Sequence, residues 1–224
     1  MTFEVQPLSV DEARALLAAA RGDRLEARWV VALSLGLRQG EVLGLWWEDV
    51  DLDAGLLRVT RQLARGRAGR AAEIAPLKTA RSRRTLALAR PLVEVLRAHR
   101  ARQESERLAA PCWAEDRLLF STLVGTPLDA SNDARAFKAL LSRAGVRPIR
   151  LHDLRHTAAS LLLAQGVHAR VVMEVLGHSQ IALTMNTYSH VMPSLLTEAA
   201  TSMEDSLWGS RDPVAARLAA RRPL

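Results

Sequence analysis

Apolar residues recur at helical spacing from Ala13 to Ala20, behind Ser9-Val10-Asp11-Glu12, a serine followed three residues later by glutamate. That is a capping-box pattern, and it predicts a helix running to about Arg21. From about Leu25 to Leu37 apolar residues fall on nearly every face, so a second helix is expected at the centre of the core. A short helix carrying Glu41, Val42 and Leu45 follows Gly40. The acidic stretch Trp47–Asp53 ends it, with a turn at Asp53-Ala54-Gly55. The period then changes. Leu56–Leu63, Ala71–Thr79 and Ser82–Leu88 read as three short strands separated by a Gly/Arg loop and a tight turn, an antiparallel meander. So little sheet must pack on helices.

Pro91 suits the first turn of the next helix, expected to run to about Leu108. A loop with Pro111 and a short apolar piece, Leu118–Ser121, come next. Helices are then predicted over Ser131–Ala144, Leu151–Gln165, Ala169–Leu176 and about Ile181–Tyr188, with Gly166 and Gly177 as stop signals. An amphipathic helix over about Pro193–Trp208 precedes a basic Ala/Arg tail that is expected to fray. The fold class expected is mainly α with a small antiparallel three-stranded β-sheet (α+β). One domain covers 1–208, followed by a flexible tail, 209–224.

Composition narrows the class. A chain of 224 residues that is 49% hydrophobic has enough material for a real core and does not resemble a disordered spacer. Its one cysteine, Cys112, cannot form an internal disulfide, which points to a reducing, cytoplasmic compartment. The acidic start is unlike a signal peptide, and the longest apolar run, Trp29–Leu37, falls well short of the roughly 20 residues that span a bilayer, so no membrane partner is expected. The 31 Lys+Arg against 24 Asp+Glu leave a net charge of +7, the balance of a protein that meets a polyanion. Thirteen of those cations lie between Arg61 and Arg107, against four glutamates. Arg81, Arg83 and Arg84 are the candidates for following a phosphate backbone. A solvated face in an arginine-biased proteome is the alternative.

Few residues are suited to chemistry. Arg38 has Glu41 three residues on, a carboxylate in reach to fix its fork for bidentate phosphate binding, or simply an intrahelical ion pair. His152 and Arg155 also stand three apart, on an otherwise apolar helix, where an anion would justify them. A core histidine with a snorkelled arginine is the other reading. His152 and His156 have metal-ligand spacing and His178 offers a third ligand, but no glutamate lies within the pair and no metal is expected. Lys78 and Lys138 are the only lysines, and lysine can give up a proton where arginine cannot. Tyr188 is the only tyrosine, a nucleophile if neighbouring positive charge helps it ionise and otherwise a core aromatic.

In order along the chain, LGLRQGEVLGLWWEDVD, PLKTARSRRTLAL, LHDLRHTAASLLLAQG and LGHSQIALTMNTYSHV resemble the motifs of the tyrosine recombinase (phage integrase) family. The resemblance runs from about Val5 to Val191 and implies that family's catalytic-domain fold. It implies Tyr188 as nucleophile, Arg38, Arg155, His178, Lys78 and His152 as its catalytic partners, and Glu41 as the acid supporting Arg38. The implied activity is cleavage and rejoining of double-stranded DNA through a 3′-phosphotyrosine, without cofactor or metal. A homotetramer in a synaptic complex, with accessory DNA-bending factors, is the implied assembly, in a nucleoid-associated location. Type IB topoisomerase-like relaxation and a non-catalytic DNA-binding role of the same fold are the alternatives. The family's N-terminal DNA-gripping domain is expected to be absent from this sequence.

Overall fold

Ser9 opens the first helix as its sequence predicts: its Oγ accepts from the Glu12 N–H at 3.1 Å, and Glu12 accepts from the Ser9 N–H at 2.7 Å. This computed structural model describes residues 6–64, 72–77, 82–177, 200–204, 206 and 207. Among the described residues up to 177 there are seven α-helices: α1 (Val10–Ala20), α2 (Glu26–Leu35), α3 (Gln39–Leu43), α4 (Arg90–Ala109), α5 (Ala130–Arg143), α6 (Asp153–Ala164) and α7 (Ala169–Leu176). Pro91 stands in the first turn of α4. The chain divides into two units, Met1–Thr187 and Tyr188–Leu224, so the domain expected over 1–208 spans the first and part of the second. In the second unit, residues 200–204, 206 and 207 are helical, within the helix expected to about Trp208.

Helix α2 is the hub of the first unit. Trp29, Val31, Ala32, Leu33 and Leu35 are all buried, and the helix packs on α1, α4 and α6. A helix apolar all round can be stable only if neighbours cover it on every side. Arg28 also lies in this helix and is fully buried, its guanidinium held by both oxygens of Asp133 on α5 at 2.6 Å each. Each fully buried leucine, such as Leu16, Leu45 or Leu96, contributes about 1.5–3 kcal/mol to burying this core.

The sheet differs from the expected meander. Its strands are β1 (Val50–Asp51), β2 (Leu56–Val59), β3 (Arg61–Ala64), β4 (Glu73–Pro76) and β5 (Arg84–Ala87). A three-stranded sheet does form, in the order β1-β2-β5, while β3 pairs with β4. Thus β4 and β5 do not pair with each other. Both run antiparallel to the single stretch 56–64: Leu57 opposes Leu86 and Val59 opposes Arg84, then Arg61 opposes Pro76 and Leu63 opposes Ile74. The Leu77 N–H donates to the Thr60 carbonyl at 3.0 Å, carrying the second pairing up to the first. Strands β4 and β5 therefore point the same way, whereas a tight turn between them would have reversed the direction. Alternation gives each strand its buried face, but it carries no information about which strand is its partner.

Candidate active site

Helix α2 ends at Gly36, whose left-handed φ of 59° turns the chain sharply into α3. That turn sets Arg38 immediately before α3 and Glu41 within it. Glu41 is buried (1% exposed), and each of its oxygens receives two donors. Oε1 accepts from Arg38 Nη1 at 2.9 Å and Arg84 Nη1 at 3.3 Å; Oε2 accepts from the Arg38 N–H at 3.0 Å and Arg84 Nη2 at 2.9 Å. Burial alone would raise the Glu41 carboxyl, but the Arg84 and Arg38 donors outweigh it and hold it below its usual range. Arg38 keeps 41% of its side chain accessible, so a guanidinium with one edge anchored on Glu41 presents the other outward.

From the other side, α6 brings Arg155 to the same turn. Arg155 is buried, and its Nη1 donates to the Gly36 carbonyl at 2.8 Å, a cation on the C-terminal end of α2. His152, at the start of α6, is exposed. The covered part of its ring, together with the charges of Arg155 and Arg38, holds its pKa below the ordinary value. His156 stands one turn on, its ring edge-on to His152 with centroids 5.0 Å apart. Burial, then the neighbouring His152, push His156 down to about 4, so it is neutral at physiological pH. Asp153 takes three hydrogen bonds from Arg150, at 2.9, 3.2 and 2.9 Å, which fix the first turn of α6. The result is a positive, pre-ordered surface around the α2–α3 turn, suited to the oxygens of a phosphodiester.

The fold therefore brings Arg38, Glu41, His152 and Arg155 together from two separate motifs. Lys78, Arg81, His178 and Tyr188 lie outside the described residues, as do the expected helix 181–188 and the tail 209–224. Of the candidate backbone-following arginines, Arg83 is exposed on the approach to β5. Arg84 is not: its side chain is 7% exposed and turned inward onto Glu41. A charge run in a sequence does not separate an outward arginine from one committed to a buried carboxylate. Sequence reading also misses Gln39, whose Nε2 donates at 2.8 Å both to Asp133 and to the Ala130 carbonyl, tying the start of α3 to α5 beside the Arg28–Asp133 pair. Its only signal is its place next to Arg38. Among the described residues, no group of three or more His, Cys, Asp or Glu side chains is arranged to hold a metal ion.

The profile of the Phage integrase family matches residues 6–194, a span containing all four motifs. The chain belongs to the phage integrase family. A tyrosine recombinase XerC-like protein of Caldanaerobacter subterraneus subsp. tengcongensis is 37% identical over 214 residues, which are 90% of this chain and 54% of that protein. An integrase of Saccharopolyspora erythraea is 31% identical, over 92% of this chain and 59% of the relative. This phage integrase family member thus spans somewhat more than half the length of the curated relatives it matches. Its fold is that of tyrosine recombinase catalytic domains. The crystal structure of XerA recombinase superposes with a TM-score of 0.66 at 26% identity, covering 89% of this chain and 65% of that one. The Tn1549 transposon integrase in complex with transposon right end DNA gives a TM-score of 0.74 at 24% identity, covering 92% and 67%. No helix among the described residues is long and apolar enough to cross a membrane.

Proposed function

We propose that this chain is the catalytic part of a site-specific DNA recombinase. Its support is the convergence of Arg38 and Arg155 on one turn, with Glu41 beneath Arg38 and His152 at the rim. Duplex DNA is the substrate, in keeping with relatives named integrase and neighbours solved on DNA. Tyr188 attacks the scissile phosphorus in line; the new bond is a 3′-phosphotyrosine and the bond to the 5′-oxygen breaks. Arg38, Arg155 and His178 balance charge on the non-bridging oxygens. The tyrosine proton leaves with the help of His152, kept neutral by its surroundings, and Lys78 supplies the proton taken up by the 5′-oxygen. Phosphodiester energy is retained in the adduct, so a 5′-hydroxyl from a partner strand reverses the step and exchanges strands. Strand exchange between two duplexes asks for four such sites, hence a homotetramer on DNA in the cytoplasm, with DNA-bending proteins as further partners. Arg81 and Arg83 follow the backbone in this reading.

Covalent trapping tests the proposal. A nicked duplex carrying the DNA end that borders this protein's own gene is incubated with the protein in EDTA, and SDS-resistant protein–DNA species are resolved on a gel. Wild type forms the adduct, and Tyr188→Phe, which leaves no tyrosine in the chain, forms none. An adduct that persists in Tyr188→Phe, or cleavage abolished by EDTA, overturns it.

A further inference from the structure

Arg84 makes more structural connections than any role on the DNA backbone would use. Its guanidinium, 7% exposed, spends four N–H donors inside the protein. Two go to Glu41, at 2.9 and 3.3 Å. Nε donates to the Val175 carbonyl at 2.7 Å, and Nη1 also donates to the Ser82 carbonyl at 3.1 Å. The acceptors lie in three segments: Glu41 and Ser82 within two of the quoted motifs, and Val175 one residue before another. Glu41 holds Arg38. Val175 is in the last turn of α7, where helix carbonyls have no partner further along the helix, and Gly177 and then His178 follow it in the chain. Ser82 stands four residues after Lys78 in the sequence.

Packing repeats the message. Gly177 has a left-handed φ of 68°, and a Cβ there would come within 2.9 Å of Arg84 Nη1, so the glycine permits the close approach of the α7 end to this guanidinium. A lysine could match the charge of Arg84 but not its geometry: a planar fork alone reaches a carboxylate on one edge and two carbonyls on the others.

We propose that Arg84 is a positioning residue that locks three segments, each within or next to a catalytic motif, into one register without touching DNA. It joins the Arg38–Glu41 turn, the end of α7 that leads into His178, and the strand entry that follows Lys78. The proposal rests on the recombinase reading for its effect on chemistry, but not for its effect on structure.

Arg84→Lys is the informative variant, because it keeps a cation against Glu41 and so preserves the fold. Arg84→Gln, which leaves the buried carboxylate with Arg38 alone, serves as the harsher comparison, with thermal unfolding of both as control. On the same nicked duplex, Arg84→Lys is expected to bind with unchanged affinity and unchanged salt dependence while single-turnover adduct formation slows roughly 10- to 100-fold, the usual cost of small misplacement at a reacting centre. Amide hydrogen exchange is expected to speed up together in α3 and in the last turn of α7, and to stay unchanged in α1. Adduct formation at the wild-type rate overturns the proposal, as does unchanged exchange in those two segments. Weaker DNA binding with a salt slope reduced by about one identifies Arg84 as a phosphate contact instead and also overturns it. If wild type itself yields no adduct while the coupled exchange is seen, the recombinase reading fails and the structural lock stands.

Discussion

Glu41 shows how much one side chain can organise and how its state can be tested. Its carboxyl is held below the ordinary value of 4.5, so the folded protein binds fewer protons there than the unfolded chain. The stability this provides is complete above pH 4.5 and is lost as pH falls through the lower folded value. His156 acts in a higher window. Its folded value is about 4 against 6.5, so its contribution is complete above about pH 6.5 and drains away toward pH 4. His99 and His152, also lowered, act in the same sense. The urea midpoint is therefore expected to fall between pH 6.5 and 4 in wild type and to fall less in His156→Asn; equal slopes for the two proteins would refute this. Arg28 and Asp133 give a second prediction, because both side chains are fully inaccessible. Asp133→Ala strands a buried guanidinium and is expected to lower unfolding free energy by about 3–5 kcal/mol, whereas Arg28→Met with Asp133→Leu should restore most of it, as measured by denaturant titration. The spacings of Arg38 with Glu41 and of His152 with Arg155 are visible in the sequence but ambiguous there, and it is the family resemblance that singles these four residues out. The roles of Arg84 and Arg28 are not visible there, because their carboxylates lie 43 and 105 residues away.

Among the elements, helices are read well from sequence and sheet pairing is not. Caps and glycine stops bound helices locally: Ser9 begins α1, and α7 runs from Ala169 to Leu176, as its stop at Gly177 implies. Strand partners are set by contacts distant in sequence, so Ala71–Thr79 and Ser82–Leu88 look like neighbours when each in fact joins the stretch 56–64. The turn between α2 and α3 can be tested through two glycines with nearly the same backbone. Gly36 (φ 59°) and Gly145 (φ 63°) share the strain any side chain would feel, yet a Cβ at Gly36 would come within 2.5 Å of Leu176 Cδ2 and 3.2 Å of Ala158 Cβ, while nothing lies within 4 Å at Gly145. Gly36→Ala should therefore cost about 1–3 kcal/mol more than Gly145→Ala, the penalty of overpacking alone. Unfolding of the two variants under one set of conditions measures the difference, and equal losses would mean that the α2–α6–α7 contact yields easily.

At the scale of the whole molecule, the net charge of +7 gives the proposed DNA substrate a measurable signature. Affinity for a duplex should fall linearly in log–log form with salt. For about 6–10 neutralised phosphates it drops roughly 10³- to 10⁵-fold between 50 and 200 mM, as read by fluorescence anisotropy. A flat response would remove the backbone from the binding surface. Within the first unit, the central place of α2 is visible in the sequence, but the joining of Glu41, Ser82 and Val175 through Arg84 is visible only in three dimensions. The segment between Leu77 and Arg84 bears on descent through its anchors. Both its ends are pinned opposite adjoining residues, Leu77 on Thr60 and Arg84 across from Val59. Residues can be gained or lost between those anchors without shifting either register, and even doubling such a loop costs only about 0.6 kcal/mol in closure entropy. The ribbon is thus a mount with an exchangeable fitting. A lineage can vary the segment that carries Lys78 by insertion and deletion while inheriting the scaffold intact.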